Sequence, residues 1–167
     1  TSEGRVMAPP WKGAALAARQ SDFTEHARRL RCDVSALRAV WQVEAGGSAF
    51  RADGTVKRRF EPHHFYSNGW DWRRSLRLSR PDRERLFLEA VVDEPEQAAR
   101  ATSWGGPQIM GFNHKAAGYD SALAMVRGMA QSEVAQIEAF TTFVQAHGLD
   151  RHLRARDWRA FARGYNG

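Results

Sequence analysis

A single carboxylate in an apolar segment is the first candidate for chemistry in this sequence. Glu44 lies in the stretch WQVEAGGSAF, from Trp41 to Phe50, and three- and four-residue spacing puts it on a helical face with apolar residues. Burial beside such residues removes water from a carboxylate, which disfavours its charged form and raises its pKa. Gly46 and Gly47 follow, and glycine can end a helix and let a ligand approach the backbone. Taken alone, this pattern favours a helix-end glutamate whose side chain points to water; together with two further motifs, it predicts a general acid that keeps its proton near neutral pH.

Two glycine-rich motifs elsewhere in the chain supply further polar groups. SWGGPQIMGFN spans residues 103–113, and FARGYNG spans residues 161–167. Each is a predicted turn or helix end with polar side chains beside glycine. In the first motif, the amide of Gln108 can both donate and accept hydrogen bonds. Trp104 offers a flat face for stacking, although tryptophan in a helix-rich domain is more often part of the core.

Histidine, cysteine and arginine residues could support other kinds of chemistry. His63, His64 and His114 lack the spacing of a zinc motif and the sequence contains no HExxH, so we expect no metal and no cofactor. The single cysteine, Cys32, is interpreted as a packing residue. A net charge of +6 and a pI of about 10.2 favour an anionic partner: nucleic acid, anionic lipid or the bacterial cell wall. No nucleic-acid-binding motif accompanies the arginine runs, so nucleic acid is not the expected partner.

The elements that must position these residues are predicted to be mainly helical. Helix-capping signals and apolar spacing predict helices across most of the chain, starting at or near Asp22, Asp33, Pro81, Pro95, Ser121, Ser132 and Asp157. One small β-hairpin is expected near residues 48–66, with its turn at Asp53-Gly54, and residues 67–80 are expected to form a loop. Residues 1–21 are interpreted as an irregular leader or linker, and residues 22–167 as one domain. No apolar run is long enough to span a membrane.

The motifs together resemble the N-acetylmuramidase family, the catalytic domain of phage endolysins and related wall hydrolases within the lysozyme and lytic transglycosylase superfamily. The strings that carry the resemblance are VEAGGSAF, FEPHHF, ATSWGGPQIMGFNHKAAGY and DWRAFARGYNG, in that order along the chain. Pro107 before Gln108 departs from the family pattern; it should stiffen the turn and remove one amide donor. The family normally continues beyond Tyr-Asn-Gly, so the domain is expected to lack a short C-terminal segment.

The resemblance implies a lysozyme-like α+β fold and a muramidase, which cleaves the β-1,4 bond between N-acetylmuramic acid and N-acetylglucosamine in peptidoglycan. It implies Glu44 as general acid and Glu61 as a second catalytic group, a base or a stabiliser of the transition state. The alternative for Glu61 is pairing with Arg58, Arg59 or a backbone amide. The implied substrate-binding residues are His63, Trp104, Gln108, Met110, Asn113, Tyr165 and Asn166.

The expected partner is the peptidoglycan glycan strand, met by a monomer in the periplasm or at the cell wall. Three alternatives stay open at this point. A lytic transglycosylase would use the C6 hydroxyl of the substrate and form anhydro-muramic ends. A wall-binding module would keep the cleft without turnover, and a basic DNA-binding protein would show steeply salt-dependent duplex binding.

Overall fold

The computed structural model describes residues 7–46, 48–67 and 70–167, and this part of the chain is mainly helical. The helices are α1 (Gln20–Leu30), α2 (Val34–Ala45), α3 (Pro62–Phe65), α4 (Trp72–Leu76), α5 (Arg80–Asp93), α6 (Pro95–Arg100), α7 (Ala122–Gln131), α8 (Glu133–Ala146), α9 (Asp150–Arg154) and α10 (Trp158–Asn166). The strands are β1 (Arg58–Phe60), β2 (Thr102–Trp104) and β3 (Ile109–Met110), and a 3-10 turn covers Gly111–Asn113. The mainly α fold with a small β element is confirmed. Among the described helices, none has the length and apolar character needed to cross a bilayer.

Side-chain caps fix the starts of three helices where the sequence predicted them. Ser121, Ser132 and Asp157 precede α7, α8 and α10 and accept hydrogen bonds from backbone N–H groups in the first turn, at 3.0, 3.0 and 3.1 Å. At α1 the boundary differs from the prediction: the helix begins at Gln20, and Asp22 accepts a hydrogen bond from the backbone N–H of Arg19 at 2.7 Å. Each interaction satisfies an N–H group that has no partner inside its helix.

The small sheet differs from the predicted hairpin in its partners. The turn at Asp53-Gly54 does form, and Phe50 bridges to Val56 across it. Strand β1, however, pairs antiparallel with β2, and β2 pairs antiparallel with β3, in the order β1-β2-β3. Phe60 is registered opposite Thr102. The SWGGPQIMGFN motif therefore supplies two strands of the sheet, a long-range pairing that local turn signals do not encode.

Two clusters of buried side chains form the core, and α8 contributes to both. One cluster lies around Phe60, Phe87, Trp104 and Met125, and the other lies around Leu30, Leu37, Trp41, Phe140 and Phe161. Tyr165 packs against both clusters. The ring of Tyr165 thus packs the C-terminal helix α10 against the rest of the fold.

Residues 7–19, the described part of the segment before α1, form no helix but pack into the fold. Trp11 is buried, and its ring lies 5.1 Å from that of Phe87 and 6.3 Å from that of Trp104. The N–H of Ala15 donates to the carbonyl of Ala130 at 3.1 Å. These contacts give residues 7–19 the role of a packed segment rather than of a linker.

The segment 67–80, predicted as a loop, contains the short helix α4. Asp71 accepts a hydrogen bond from the backbone N–H of Arg73 at 3.0 Å and so begins this helix. The indole N–H of Trp70 donates to Ser75 at 2.8 Å, and the Arg74 guanidinium lies 3.9 Å from the Trp70 ring centroid. The prediction of a loop was wrong here. A sustained series of apolar residues at helical spacing is the usual signal for a helix, and this segment has none; polar and cation–π contacts between nearby residues hold α4 instead. Part of the predicted loop, residues 68–69, lies outside the described residues.

Candidate active site

Glu44 lies in the last turn of α2, where Gly46 ends the helix in the left-handed conformation with φ 58°. The carboxylate is half-buried, and burial raises its pKa, which is the direction predicted from the sequence. With Val40, Phe161 and Trp158 it lines a mainly apolar cavity of about 360 Å³. Glu44 therefore sits in surroundings that favour its protonated form.

The turn between β2 and β3 packs directly against the end of α2. A Cβ atom added at Gly106 would lie 2.9 Å from the Cβ of Ala45, so glycine is required for this close approach. Gly105 and Gln108 have φ angles of 74° and 53°, and the left-handed region is unfavourable for a residue such as glutamine. Gln108 therefore has an unfavourable backbone conformation, in a turn whose Gly106 packs against Ala45, the neighbour of Glu44.

The Gln108 side chain holds this turn in place. Its Oε1 accepts a hydrogen bond from the Ser103 hydroxyl at 3.0 Å, and its Nε2 donates to the carbonyl of Gly105 at 2.8 Å. The amide is partly exposed and keeps further hydrogen-bonding capacity, because each end can make a second bond. Its predicted contact with substrate stays a prediction.

Tyr165 on α10 brings the third motif to the other two. Its hydroxyl donates to the carbonyl of Pro107 at 2.6 Å. Burial is the main cause, and the nearby charge of Glu44 the second, of a pKa of Tyr165 well above its usual value. The hydroxyl therefore remains a donor at neutral pH. The end of α2, the β2–β3 turn and the C-terminal helix therefore meet around Glu44.

Replacing Tyr165 with Phe tests how firmly α10 is held to this turn. Loss of the hydroxyl leaves the buried carbonyl of Pro107 without this donor, and we expect the free energy of unfolding to fall by about 1–3 kcal/mol. Urea denaturation of both proteins measures the difference. A variant as stable as the wild type would contradict a structural role for this hydrogen bond. Tyr119→Phe is the matched control, because Tyr119 is also half-buried but lies outside this junction.

Glu61 is held by arginine side chains. Its two oxygens contact Arg59 Nε at 2.8 Å and Arg83 Nη1 at 3.4 Å, and the His63 ring nitrogen is 3.7 Å away. Pairing with arginine was the alternative to a catalytic role, and Arg59 was one of the expected partners. Arg58 is not a partner, since it pairs with Glu84. Arg83 lies on α5, more than twenty residues along the chain, so no pattern near Glu61 indicates this partner.

The prediction that Trp104 binds substrate is wrong in this structure. The side chain is 1% exposed, its indole N–H donates to the carbonyl of Ala99 at 2.9 Å, and its ring packs on Phe87. A ring enclosed on both faces cannot stack on a sugar. Trp158, which the sequence analysis did not select, is 41% exposed and lines the Glu44 cavity. Trp158 lies three residues before Phe161, which puts the two on one face of the helix. That spacing in the sequence predicts a core residue and not one that lines a cavity.

The remaining predicted substrate residues are accessible, and their contacts with substrate stay predictions. Met110 lies in β3 opposite Ser103, Asn113 lies in the 3-10 turn, and Asn166 is exposed at the end of α10. His63 contacts the Ser75 hydroxyl at 3.1 Å through its Nδ1. Within residues 7–46, 48–67 and 70–167, no three His, Cys, Asp or Glu side chains gather closely enough to hold a metal ion.

Comparisons with known proteins identify the family to which the chain belongs. A family model described as N-acetylmuramidase matches residues 33–167. The solved crystal structure of the Burkholderia AP3 phage endolysin aligns with a TM-score of 0.74 and 34% sequence identity, over 99% of this chain. The chain spans 66% of the length of that endolysin chain. No match is found among curated protein sequences. With the family model covering most of its length, the chain belongs to the N-acetylmuramidase family.

Proposed function

We propose that this protein is a peptidoglycan hydrolase that cleaves the β-1,4 bond between N-acetylmuramic acid and N-acetylglucosamine, with Glu44 as general acid. The observation that carries the proposal is the half-buried Glu44, whose pKa burial raises, at the meeting point of the three sequence motifs. The family and the endolysin neighbour support the substrate class. The protein would act on glycan strands as a monomer, in the periplasm or at the cell wall.

The reaction needs a proton at the glycosidic oxygen as its bond to C1 breaks. Glu44 donates that proton, and positive charge develops on the muramic sugar ring. A water molecule then forms a bond from its oxygen to C1; one of its two protons passes to a base, and the other stays on the new C1 hydroxyl, which leaves a reducing end. The role of Glu44 requires its protonated form, which a partly dehydrated carboxyl retains to higher pH than an exposed one.

The identity of the second group is open to a direct test. Glu61 is the candidate, but Arg59 and Arg83 contact its two oxygens. That pairing favours a route with one carboxylate, in which the substrate's own acetamido group or C6 hydroxyl completes the reaction. Attack by the C6 hydroxyl would make the protein a lytic transglycosylase, the second candidate function.

Product analysis distinguishes these routes. Purified Gram-negative peptidoglycan is digested and the soluble fragments are identified by mass spectrometry. We expect reducing muramic ends, as hydrolysis requires. Anhydro-muramic ends, each lighter by one water, would establish the transglycosylase instead. Strand binding without any soluble fragment would contradict both enzymes and support a wall-binding module, and salt-sensitive duplex DNA binding without affinity for sacculi would contradict all three.

The pH dependence of turnover reports the protonation of Glu44. Because the acid form is required, kcat/KM should fall as pH rises through the pKa of Glu44. Burial raises that pKa, so this fall should lie above the pKa of about 4.3 of an exposed glutamate. Initial rates on solubilised strands between pH 3 and 9 measure this pH dependence of kcat/KM. Circular dichroism at each pH checks that the protein remains folded. A rate that already falls around pH 4 would contradict the buried acid.

A further inference from the structure

We propose that a basic pocket beside the candidate active site binds carboxylate groups of peptidoglycan. This inference rests on the proposed function and specifies which chemical groups of the substrate the protein recognises. We define the basic pocket by its six cationic residues, Arg51, Lys57, Arg58, Arg59, Arg80 and Arg83. It has a volume of about 390 Å³, which is sufficient for a carboxylate and its neighbouring atoms.

The cations of the basic pocket outnumber the acids that face them. Glu84 lines the pocket and pairs with Arg58 and, at 3.4 Å, with Arg51. Glu61 pairs with two of the other arginines. Four of the six cations thus pair with two carboxylates, and Asp53 adds a third negative charge near Arg58. The cations remain in excess, and like charges held close together repel one another. An anionic ligand would offset this repulsion.

Two of these arginines, Arg83 and Arg58, have contacts that stabilise the fold. Arg83 is buried and donates to the carbonyl of Phe60 at 2.7 Å, and it also donates to the carbonyl of Ser75. The guanidinium of Arg58 lies 5.2 Å from the centroid of the Phe87 ring, and burial lowers the pKa of both arginines. These two hold the wall of the pocket. Arg80, in contrast, is exposed at the start of α5, so packing of the core does not account for its place there.

The basic pocket adjoins the residues around Glu44. Lys57 donates from its Nζ to the carbonyl of Ala45, next to Glu44, at 3.3 Å. Gln108, which holds the turn packed on α2, forms another part of the pocket wall. A glycan strand bound near Glu44 therefore passes within reach of these cations.

Carboxylate is the anion that this substrate offers. Arginine binds a carboxylate through two parallel N–H donors, which gives both attraction and a defined orientation. In peptidoglycan the carboxylates come from stem peptides, or from the lactyl group of muramic acid where the peptide is absent. The basic pocket therefore makes recognition of the strand depend on these side groups and not on the sugar backbone alone.

The test measures binding of four ligands to protein carrying Glu44→Gln, so that no strand is cleaved. The ligands are peptide-bearing strands, strands stripped by an amidase so that lactyl carboxylates are free, peptide-bearing strands whose carboxyls are converted to amides, and neutral chitin oligosaccharides. We expect Kd to rise about tenfold on amidation, as loss of a charge-assisted hydrogen bond predicts. Tight binding of stripped strands would identify the lactyl group, and tight binding of peptide-bearing strands alone would identify the stem peptide.

Arg80→Gln assigns the effect to the basic pocket. It should weaken binding of carboxylated strands about three- to tenfold and leave binding of amidated strands and chitin oligosaccharides unchanged. Arg28→Gln is the matched control, because it removes one exposed charge on α1, away from the pocket. Equal binding of amidated and carboxylated strands, or an equal effect of both arginine variants, would overturn the inference. Wild-type protein that releases no fragment from any strand would overturn the proposed function instead, since binding is measured without turnover.

Discussion

Replacing Glu44 with Gln is expected to reduce turnover of peptidoglycan by about 10²- to 10⁴-fold, the usual contribution of a general acid. Glutamine has almost the same shape as glutamate but cannot release a proton to the leaving oxygen. The half-buried position at the end of α2 should remain filled, so binding of strands should change much less than turnover. The measurement is kcat and KM on solubilised strands, with the fold checked by circular dichroism.

The same variant has an expected effect on stability that substitution of an exposed glutamate would not show. Burial raises the pKa of Glu44 in the folded protein, so between the unfolded and folded pKa values the folded state binds more protons. Stability of the wild type therefore falls as pH rises through that window. Glutamine lacks this penalty, so the variant should melt at the same temperature as the wild type or higher at pH 8, and the difference should disappear near pH 3.

Glu25→Gln is the control for both measurements. Glu25 is an exposed glutamate on α1, so its substitution should change neither turnover nor the pH dependence of melting. If Glu44→Gln retained turnover within a few-fold of the wild type, Glu44 would not be the proton donor. If it unfolded instead, the carboxylate would be a structural group, and the assignment of the acid would have to move elsewhere.

Helix boundaries and the surroundings of Glu44 could be predicted because the interactions that set them are local. Ser121, Ser132 and Asp157 bond to N–H groups three residues ahead, and such caps are visible in the sequence. The raised pKa of Glu44 followed from apolar residues at helical spacing. Even so, Val43 beside it is 77% exposed, because adjacent residues of a helix point in different directions.

Contacts between distant segments could not be predicted in the same way. The sheet pairs β1 with β2 across more than forty residues, and this pairing buries Trp104 in the core. Arg83 contacts Glu61 from α5, and no pattern near Glu61 in the sequence indicates this partner. The resemblance implied Tyr165 as a substrate-binding residue, but its hydrogen bond to Pro107 depends on how α10 packs. Spacing along one segment contains no information on such partners.

Gly111→Ala is expected to be the most destabilising of these substitutions. A Cβ atom at this position would lie 1.9 Å from the carbonyl oxygen of Ala99 and 2.8 Å from the Cα of Arg100. Both are backbone atoms of the α6 segment, so no side-chain rotation can relieve the overlap, and the 3-10 turn must move away from α6. Overpacking of this kind costs about 3 kcal/mol. At about 2–4 °C for each kcal/mol in a protein of this size, the melting temperature should fall by about 6–12 °C.

Gly148→Ala separates this steric overlap from backbone strain. Gly148 has a φ angle of 66°, and nothing lies within 4 Å of an added Cβ, so its substitution tests strain alone, at about 1 kcal/mol. Thermal melts of both variants at one pH give the comparison. If Gly111→Ala melted no lower than Gly148→Ala, the turn after SWGGPQIM would not be seated against α6 as described. A much lower melting temperature for Gly111→Ala would show that Gly111 is required for packing against α6. The candidate groups for substrate contact in this motif would then be Gln108 and the turn before it.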